Sequence, residues 1–311
     1  MADVTRSFPR KRESSVEQKT AGSPLSRGRA EGEAPPPKTF ALALAGGGAR
    51  SLGEIVVLEA LDEMGVKPVA IAGASLGALI GAAYAAGMDG KTIRRHVVER
   101  AHDRAGTLSR LMAARAAALS AFLTAPFGNP MLVDAEKFCA TFLPPIVPED
   151  FADLAIPLVV VATDFYARRE VTFSAGPLRS AIAASMALPG LVRPMEIDGR
   201  VLVDGAAVNP LPFDHLYGLA DVIVAVDCAG GPSEPRGVPD PWEALFATIN
   251  IMGQSIVAEK LKAGGPDLLI RPNVGTFRLL DFFRASAILR AAEPVKAEVK
   301  EKLGALLSAD P

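Results

Sequence analysis

The sequence predicts an α/β fold in which parallel strands are joined by helical crossovers. Short apolar runs alternate with helical repeats: Phe40–Leu44, then Leu52, Ile55, Leu58 and Leu61 on one side of a helix, then Val69–Ala72, then Leu76–Ala86. Strand, helix, strand, helix with short connections is the signature of parallel strands with right-handed crossovers. Size agrees, since about 270 residues remain beyond a polar N-terminal stretch, enough for one large domain with a sizeable core. Half of the 311 residues are hydrophobic, as a sheet covered by helices requires.

Residues 1–38 are rich in Pro, Ser, Gly and charge, with eight Lys/Arg against five acids, and end near Pro35-Pro36-Pro37. Such a segment cannot bury enough apolar surface to fold alone. It is expected to be a disordered extension, with a membrane-surface or partner-binding arm as the alternative. The folded domain is expected over 39–311. Its first strand, Phe40–Leu44, runs into Gly46-Gly47-Gly48, and Gly65 is placed to stop the first helix. Residues 89–145 read as helical and irregular, with Leu108, Leu111, Met112, Leu119, Phe122 and Leu123 on an apolar face beside Arg104, Arg110 and Arg115. This segment is a candidate for lipid contact; plain packing on the sheet is the alternative. Strands return at Leu158–Thr163 and Glu170–Phe173. A hairpin is expected around Asp198-Gly199, a further strand at Asp221–Asp227, and helices over 242–264 and 281–305 about a short strand at Leu268–Ile270.

Several function classes are disfavoured. A formal charge of −2 gives no sign of nucleic-acid binding. The N-terminus lacks the apolar core of a secretory signal. Cys139 and Cys228 are too few for a disulfide framework and are expected as buried thiols in a reducing, cytoplasmic setting. Residues 68–88 carry no charge and space Gly73, Gly77 and Gly81 as packed transmembrane helices do. They are nevertheless mostly Gly and Ala and open with Pro, which suits a buried strand, turn and helix better.

Gly73-Ala74-Ser75-Leu76-Gly77 has the G-x-S-x-G form between a strand and a helix, the setting that turns a serine into a nucleophile. Gly46–Gly48 lies between a strand and a helix, so its N–H groups are free to converge on an oxyanion. A phosphate cradle is disfavoured there. The loop lacks the Lys-Ser/Thr of a P-loop, and Ser51 stands where a dinucleotide motif needs its third Gly. Arg50 could orient the glycines, meet an anionic head group, or form a surface salt bridge. For the base, Asp204-Gly205-Ala206 follows the strand Arg200–Val203, which would present the carboxylate at a strand end; a turn-capping Asp is the alternative. His215 has no obvious orienting partner, and His96 and His102 are expected on a solvated surface. No local metal-binding spacing occurs.

Taken together, Gly46–Arg50, Gly73–Ala78 and Asp204–Ala206 resemble the oxyanion loop, nucleophile elbow and D-G-[GA] motif of patatin-like phospholipases. Gly81–Gly87, Leu188-Pro189-Gly190 and Asn209–Pro212 match too, over about residues 39–228. Ser51, Ala45 and Glu54 depart from the usual pattern, and Ser51 stands to stiffen or tilt the loop. The resemblance implies a three-layer α/β/α sandwich with a mostly parallel sheet and a Ser75–Asp204 dyad. It further implies an oxyanion hole from Gly46, Gly47, Gly48 and Leu76, supported by Arg50, Gly73, Gly77, Gly205 and Ala206. It implies fatty-acyl ester substrates met at a membrane or micelle interface, a peripheral location, and no metal or cofactor. A His215-dependent esterase and a catalytically silent lipid- or partner-binding protein are the competing expectations.

Overall fold

The computed structural model describes residues 38–103, 133–230 and 237–308. The N-terminal extension (apart from Lys38) and the Leu108–Leu123 segment lie outside them. In chain order the strands are β1 (Phe40–Leu44), β2 (Ile71–Ala74), β3 (Leu158–Asp164), β4 (Arg169–Phe173), β5 (Met195–Ile197), β6 (Arg200–Asp204), β7 (Val222–Val226) and β8 (Leu268–Ile270). The helices are α1 (Glu54–Met64), α2 (Leu76–Ala85), α3 (Gly90–His102), α4 (Ala135–Phe142), α5 (Leu178–Ser185), α6 (Pro241–Ala263), α7 (Ala285–Ala292) and α8 (Val295–Ser308).

One sheet runs β5-β6-β3-β2-β1-β7-β8, with β4 also paired to β3. The five strands from β3 to β8 along this path are parallel, and β4, β5 and β6 are antiparallel to their neighbours. Every residue of β1, β2 and β7 is buried, which accounts for their unbroken apolar sequence. Alternation along the strands splits the core. Phe40, Leu42, Leu44, Ile71 and Val160 face the cluster built with α1, α2, α5 and α8. On the other face Ala41, Ala43, Ala72 and Ala225 meet Leu211, Phe213, Leu216 and Val257 of α6. Small residues there let that thinner layer approach closely. The result is the expected three-layer α/β/α sandwich.

The arrangement around β3 positions the site. β4 pairs with Val160–Asp164 along one flank. On the opposite flank β2 pairs as far as Ala74↔Val161, and β6 takes over at the next residue, Asp204↔Ala162. Two strands from distant parts of the chain therefore meet end to end.

Several expected boundaries move. β2 begins at Ile71 and runs through Ala74, so that Val69 is 40% exposed and Ser75 follows the last strand residue directly. The helical stretch expected over 281–305 is two helices, parted at Pro294, whose ring and missing N–H break a helix. Asp198 and Gly199 both take positive φ (52° and 71°), as the hairpin turn requires, and Gly65 ends α1 at φ 71°. Residues 68–88 form the end of a loop, β2 and α2, and among the described residues no helix is long and apolar enough to cross a membrane.

Close approach is tightest at Gly205, where a Cβ would lie 2.0 Å from the Val161 carbonyl oxygen. Gly205→Ala is expected to cost about 3 kcal/mol or more, seen as a fall in melting temperature of roughly 6 °C or more.

Candidate active site

The sharp strand-to-helix turn at Ser75 forms because neither Gly73 nor Gly77 has a side chain. A Cβ at Gly73 would sit 2.6 Å from Ala78 Cα, and one at Gly77 2.6 Å from the Leu44 carbonyl oxygen. Ser75 is forced to φ 52°, ψ −128°, a conformation costing about 1–3 kcal/mol for a non-glycine residue. The strain is held from behind: Ser75 N–H donates to Ser185 Oγ at 2.8 Å, and Ser185 Oγ donates to the Val161 carbonyl at 2.6 Å.

Asp204 arrives from the end of β6. Its Oδ2 accepts the Ser75 hydroxyl at 2.7 Å, and its Oδ1 accepts the Ala206 N–H at 2.8 Å. The carboxylate thus caps its turn and faces the serine at once. Its peptide group is fixed by Asp204 N–H to the Ala187 carbonyl and by Thr163 Oγ1 donating to the Asp204 carbonyl. Burial pushes the carboxyl up to about 6, against the pull of the Ser75 and Ala206 hydrogen bonds.

The glycine loop adjoins both. A Cβ on Gly46 would strike Ala206 Cβ at 2.7 Å and Ser75 Cβ at 3.1 Å. One expectation is corrected: Gly46 N–H donates to the Pro210 carbonyl at 2.8 Å and so is not free for an oxyanion. Among the described residues the N–H groups of Gly47, Gly48 and Leu76 have no such partner. Arg50, 6% exposed, forms no surface salt bridge among the described residues. Its Nε donates to the Gly47 carbonyl at 3.4 Å and its Nη2 to Asn250 Oδ1 at 2.5 Å. Because carbonyl and N–H are trans within one peptide plane, holding the Gly47 carbonyl on Arg50 turns the Gly48 N–H the opposite way. Ser51, the departure at the end of the motif, donates to the Ala45 carbonyl at 2.9 Å and braces the loop. Glu54 is fully buried, and burial, opposed by a backbone hydrogen bond at Ala45 and reinforced by Asp227, holds its carboxyl well above the usual range.

Ser75, Asp204 and Gly46–Gly48 share one cavity with Phe138, Met186, Leu191, Met252, Leu279 and Phe282. Its walls are almost wholly apolar, which suits an acyl chain and keeps water from the carboxylate.

The histidines read differently from the sequence. His215 is not among the cavity's lining residues, but it does have a partner, its Nε2 lying 2.5 Å from Glu170 Oε1. His96 is half-buried, with Nε2 3.0 Å from the Phe142 carbonyl, whereas His102 is exposed. Glu170, Asp214 and His215 bring ligand-type atoms within 4.8 Å of one another. The Lys260 ammonium pairs with one member of this cluster, 2.5 Å from Asp214 Oδ1, and lies 2.6 Å from Asn209 Oδ1. Local spacing could not show this cluster, because Glu170 lies on β4 and the others 44 and 45 residues on. Ser185 was missed for a like reason, its α5 position carrying no motif. Cys139 and Cys228 are both free and buried, as expected, and burial pushes the Cys139 thiol up to about 12.

A sequence profile described as Patatin-like phospholipase matches residues 42–217. The chain belongs to the patatin-like phospholipase family. Relatives include an uncharacterized NTE family protein of Mycobacterium tuberculosis, 36% identical over 202 residues, covering 65% of this chain and 52% of the relative. Lysophospholipase nte1 of Aspergillus terreus is 27% identical over 290 residues, covering 86% of this chain and 18% of the relative. The chain thus spans about half the length of the mycobacterial relative and far less of the fungal one. Among solved structures, VipD from Legionella pneumophila aligns at a TM-score of 0.47 and 16% identity, over 86% of this chain and 67% of that one.

The buried Asp204 carboxyl gives the site a testable pH dependence. If Asp204 must be ionised to accept a proton, kcat/KM should rise with pH through about 6, as a pH–rate profile would reveal. Stability should move the other way. The folded chain keeps a proton that the unfolded chain releases between about pH 4 and 6, so folding weakens as pH climbs through that window. Asp204→Asn should therefore raise the melting temperature at pH 8, with up to about 3 kcal/mol regained, while turnover falls by roughly 10²–10⁴-fold.

Proposed function

We propose that this chain hydrolyses fatty-acyl esters of lipids through an acyl-enzyme on Ser75. The 2.7 Å contact between Ser75 Oγ and Asp204 Oδ2 inside an apolar cavity carries the reading, and membership of the patatin-like phospholipase family supports it. Asp204 accepts the hydroxyl proton as Oγ attacks the ester carbonyl. The N–H groups of Gly47, Gly48 and Leu76 hold the oxyanion. Protonated Asp204, held near neutrality by burial, returns its proton to the leaving alcohol. Water, deprotonated by the same carboxylate, then releases the fatty acid. No histidine, metal or cofactor takes part. The domain over 39–311 works peripherally, meeting its substrate at a membrane or micelle surface.

A fluorophosphonate probe should label Ser75 alone, and Ser75→Ala should abolish both labelling and hydrolysis across a panel of phospholipid, lysophospholipid and neutral-lipid esters. Labelling that persists in Ser75→Ala refutes the assignment. Failure of the wild-type chain to cleave any ester on the panel would favour a silent lipid-binding role. His215→Ala should leave turnover within about threefold, since its ring faces Glu170. A loss of several orders of magnitude would make histidine the base.

A further inference from the structure

The turn between β3 and β4 exposes two adjacent aromatic side chains. Phe165 is 55% and Tyr166 76% exposed, and their rings contact each other edge to face at 5.2 Å. Nothing in the core needs them there. The turn is nonetheless built with care. Asp164, itself buried, accepts the N–H groups of Tyr166 and Ala167 at 3.1 and 2.8 Å on Oδ1, and its carbonyl accepts from Arg168 N–H at 2.9 Å. Arg168 closes the turn at φ 53°, a left-handed conformation that glycine would adopt without strain. Arginine stands there instead, and its charged side chain is exposed.

The neighbouring hairpin adds to the surface. Phe165 N–H donates to the Val201 carbonyl at 2.9 Å, locking the β5–β6 turn beside the β3–β4 turn. Arg168, Arg169 and Arg200 are exposed on the two hairpins, and none has an ion-pair partner among the described residues. They outnumber the hairpins' two exposed acids, Glu196 and Asp198; Glu170 is turned toward His215.

Position completes the argument. β3 runs in the same direction as β2, whose last pair is Ala74↔Val161, just before Ser75. Phe165 lies four residues beyond Val161 and Ser75 one beyond Ala74, so the tip stands about 10 Å past the level of Ser75, on the same edge of the sheet. Paired aromatics flanked by unpaired arginines are suited to the headgroup region of an anionic lipid surface. The rings would sit at the apolar boundary and the guanidinium groups would meet phosphates.

We propose that the paired β3–β4 and β5–β6 turns, carrying Phe165, Tyr166, Arg168, Arg169 and Arg200, dock this chain on anionic lipid surfaces with the catalytic edge facing the lipid. The choice of occupant rests on the lipid-hydrolase reading above. The test uses the full chain with vesicles of phosphatidylcholine alone or of equal parts phosphatidylcholine and phosphatidylglycerol, read by co-sedimentation, alongside hydrolysis of monomeric p-nitrophenyl butyrate. Phe165→Ser with Tyr166→Ser should weaken binding to mixed vesicles about tenfold or more. Arg168→Gly with Arg200→Ser should weaken it roughly tenfold on mixed vesicles at low salt and leave binding to phosphatidylcholine unchanged. Arg168→Gly suits the turn's backbone, so the fold should be kept. Butyrate turnover should stay within about twofold in both variants. Wild-type vesicle binding by the aromatic variant overturns the proposal, as does loss of its butyrate turnover together with melting temperature. Should the wild type bind mixed vesicles through these residues yet cleave no ester, the hydrolase reading fails and the docking surface stands. Butyrate hydrolysis by a chain that leaves both vesicles unbound overturns the docking surface alone.

Discussion

The Val161 carbonyl is the point on which the candidate site turns. It lies where β2 ends and β6 begins along one flank of β3. It accepts from Ser185 Oγ, whose oxygen in turn receives the Ser75 N–H. It also packs so close to Gly205 that no side chain fits between them. One peptide group therefore sets both the height of the elbow and the approach of the acid. A shift of β3 by one residue against either neighbour would separate Ser75 from Asp204 by a strand rise, about 3.3 Å, enough to break a hydrogen bond.

That rigidity coexists with stored cost. Ser75 is held at positive φ, and burial raises the Asp204 and Glu54 carboxyls above their ordinary range. Each opposes folding by an amount on the order of a kcal/mol or more. The offset comes from the sheet, whose central strands are buried on both faces and whose larger face packs the cores of α1, α2 and α8 together. Strain of this kind persists only where the surroundings over-determine the geometry, and the hydrogen bonds made with Ser185, Thr163 and Ala187 supply that.

Much of this was legible in the chain itself. Gly-Ala-Ser-Leu-Gly after an apolar strand marked the elbow, and Asp204 after Arg200–Val203 marked a carboxylate at a strand end, because turn chemistry and periodicity are local properties. What spans the fold was not legible. Ser185 looks like any polar residue on a helix, and only the β2–β3–α5 arrangement puts it behind the elbow. His215 seemed unpartnered because Glu170 is 45 residues earlier and only the fold brings the two together. Gly46 matched the motif, yet its N–H serves Pro210, a contact that depends on how the chain returns after Asp204. The start of β2 was misplaced because Val69 is as β-prone as Ile71, and only the pairing with Leu158 decides between them.

The Gly46–Pro210 hydrogen bond ties the Gly46–Gly48 loop to the segment that follows Asp204. Ala206 and Gly46 are also in contact too tight for a side chain on Gly46. Neither half of the apparatus can swing away without dragging the other. Opening events detected by amide hydrogen exchange would thus be shared across 46–48 and 204–210 as a single cooperative unit, rather than arising as the independent fraying of two surface loops.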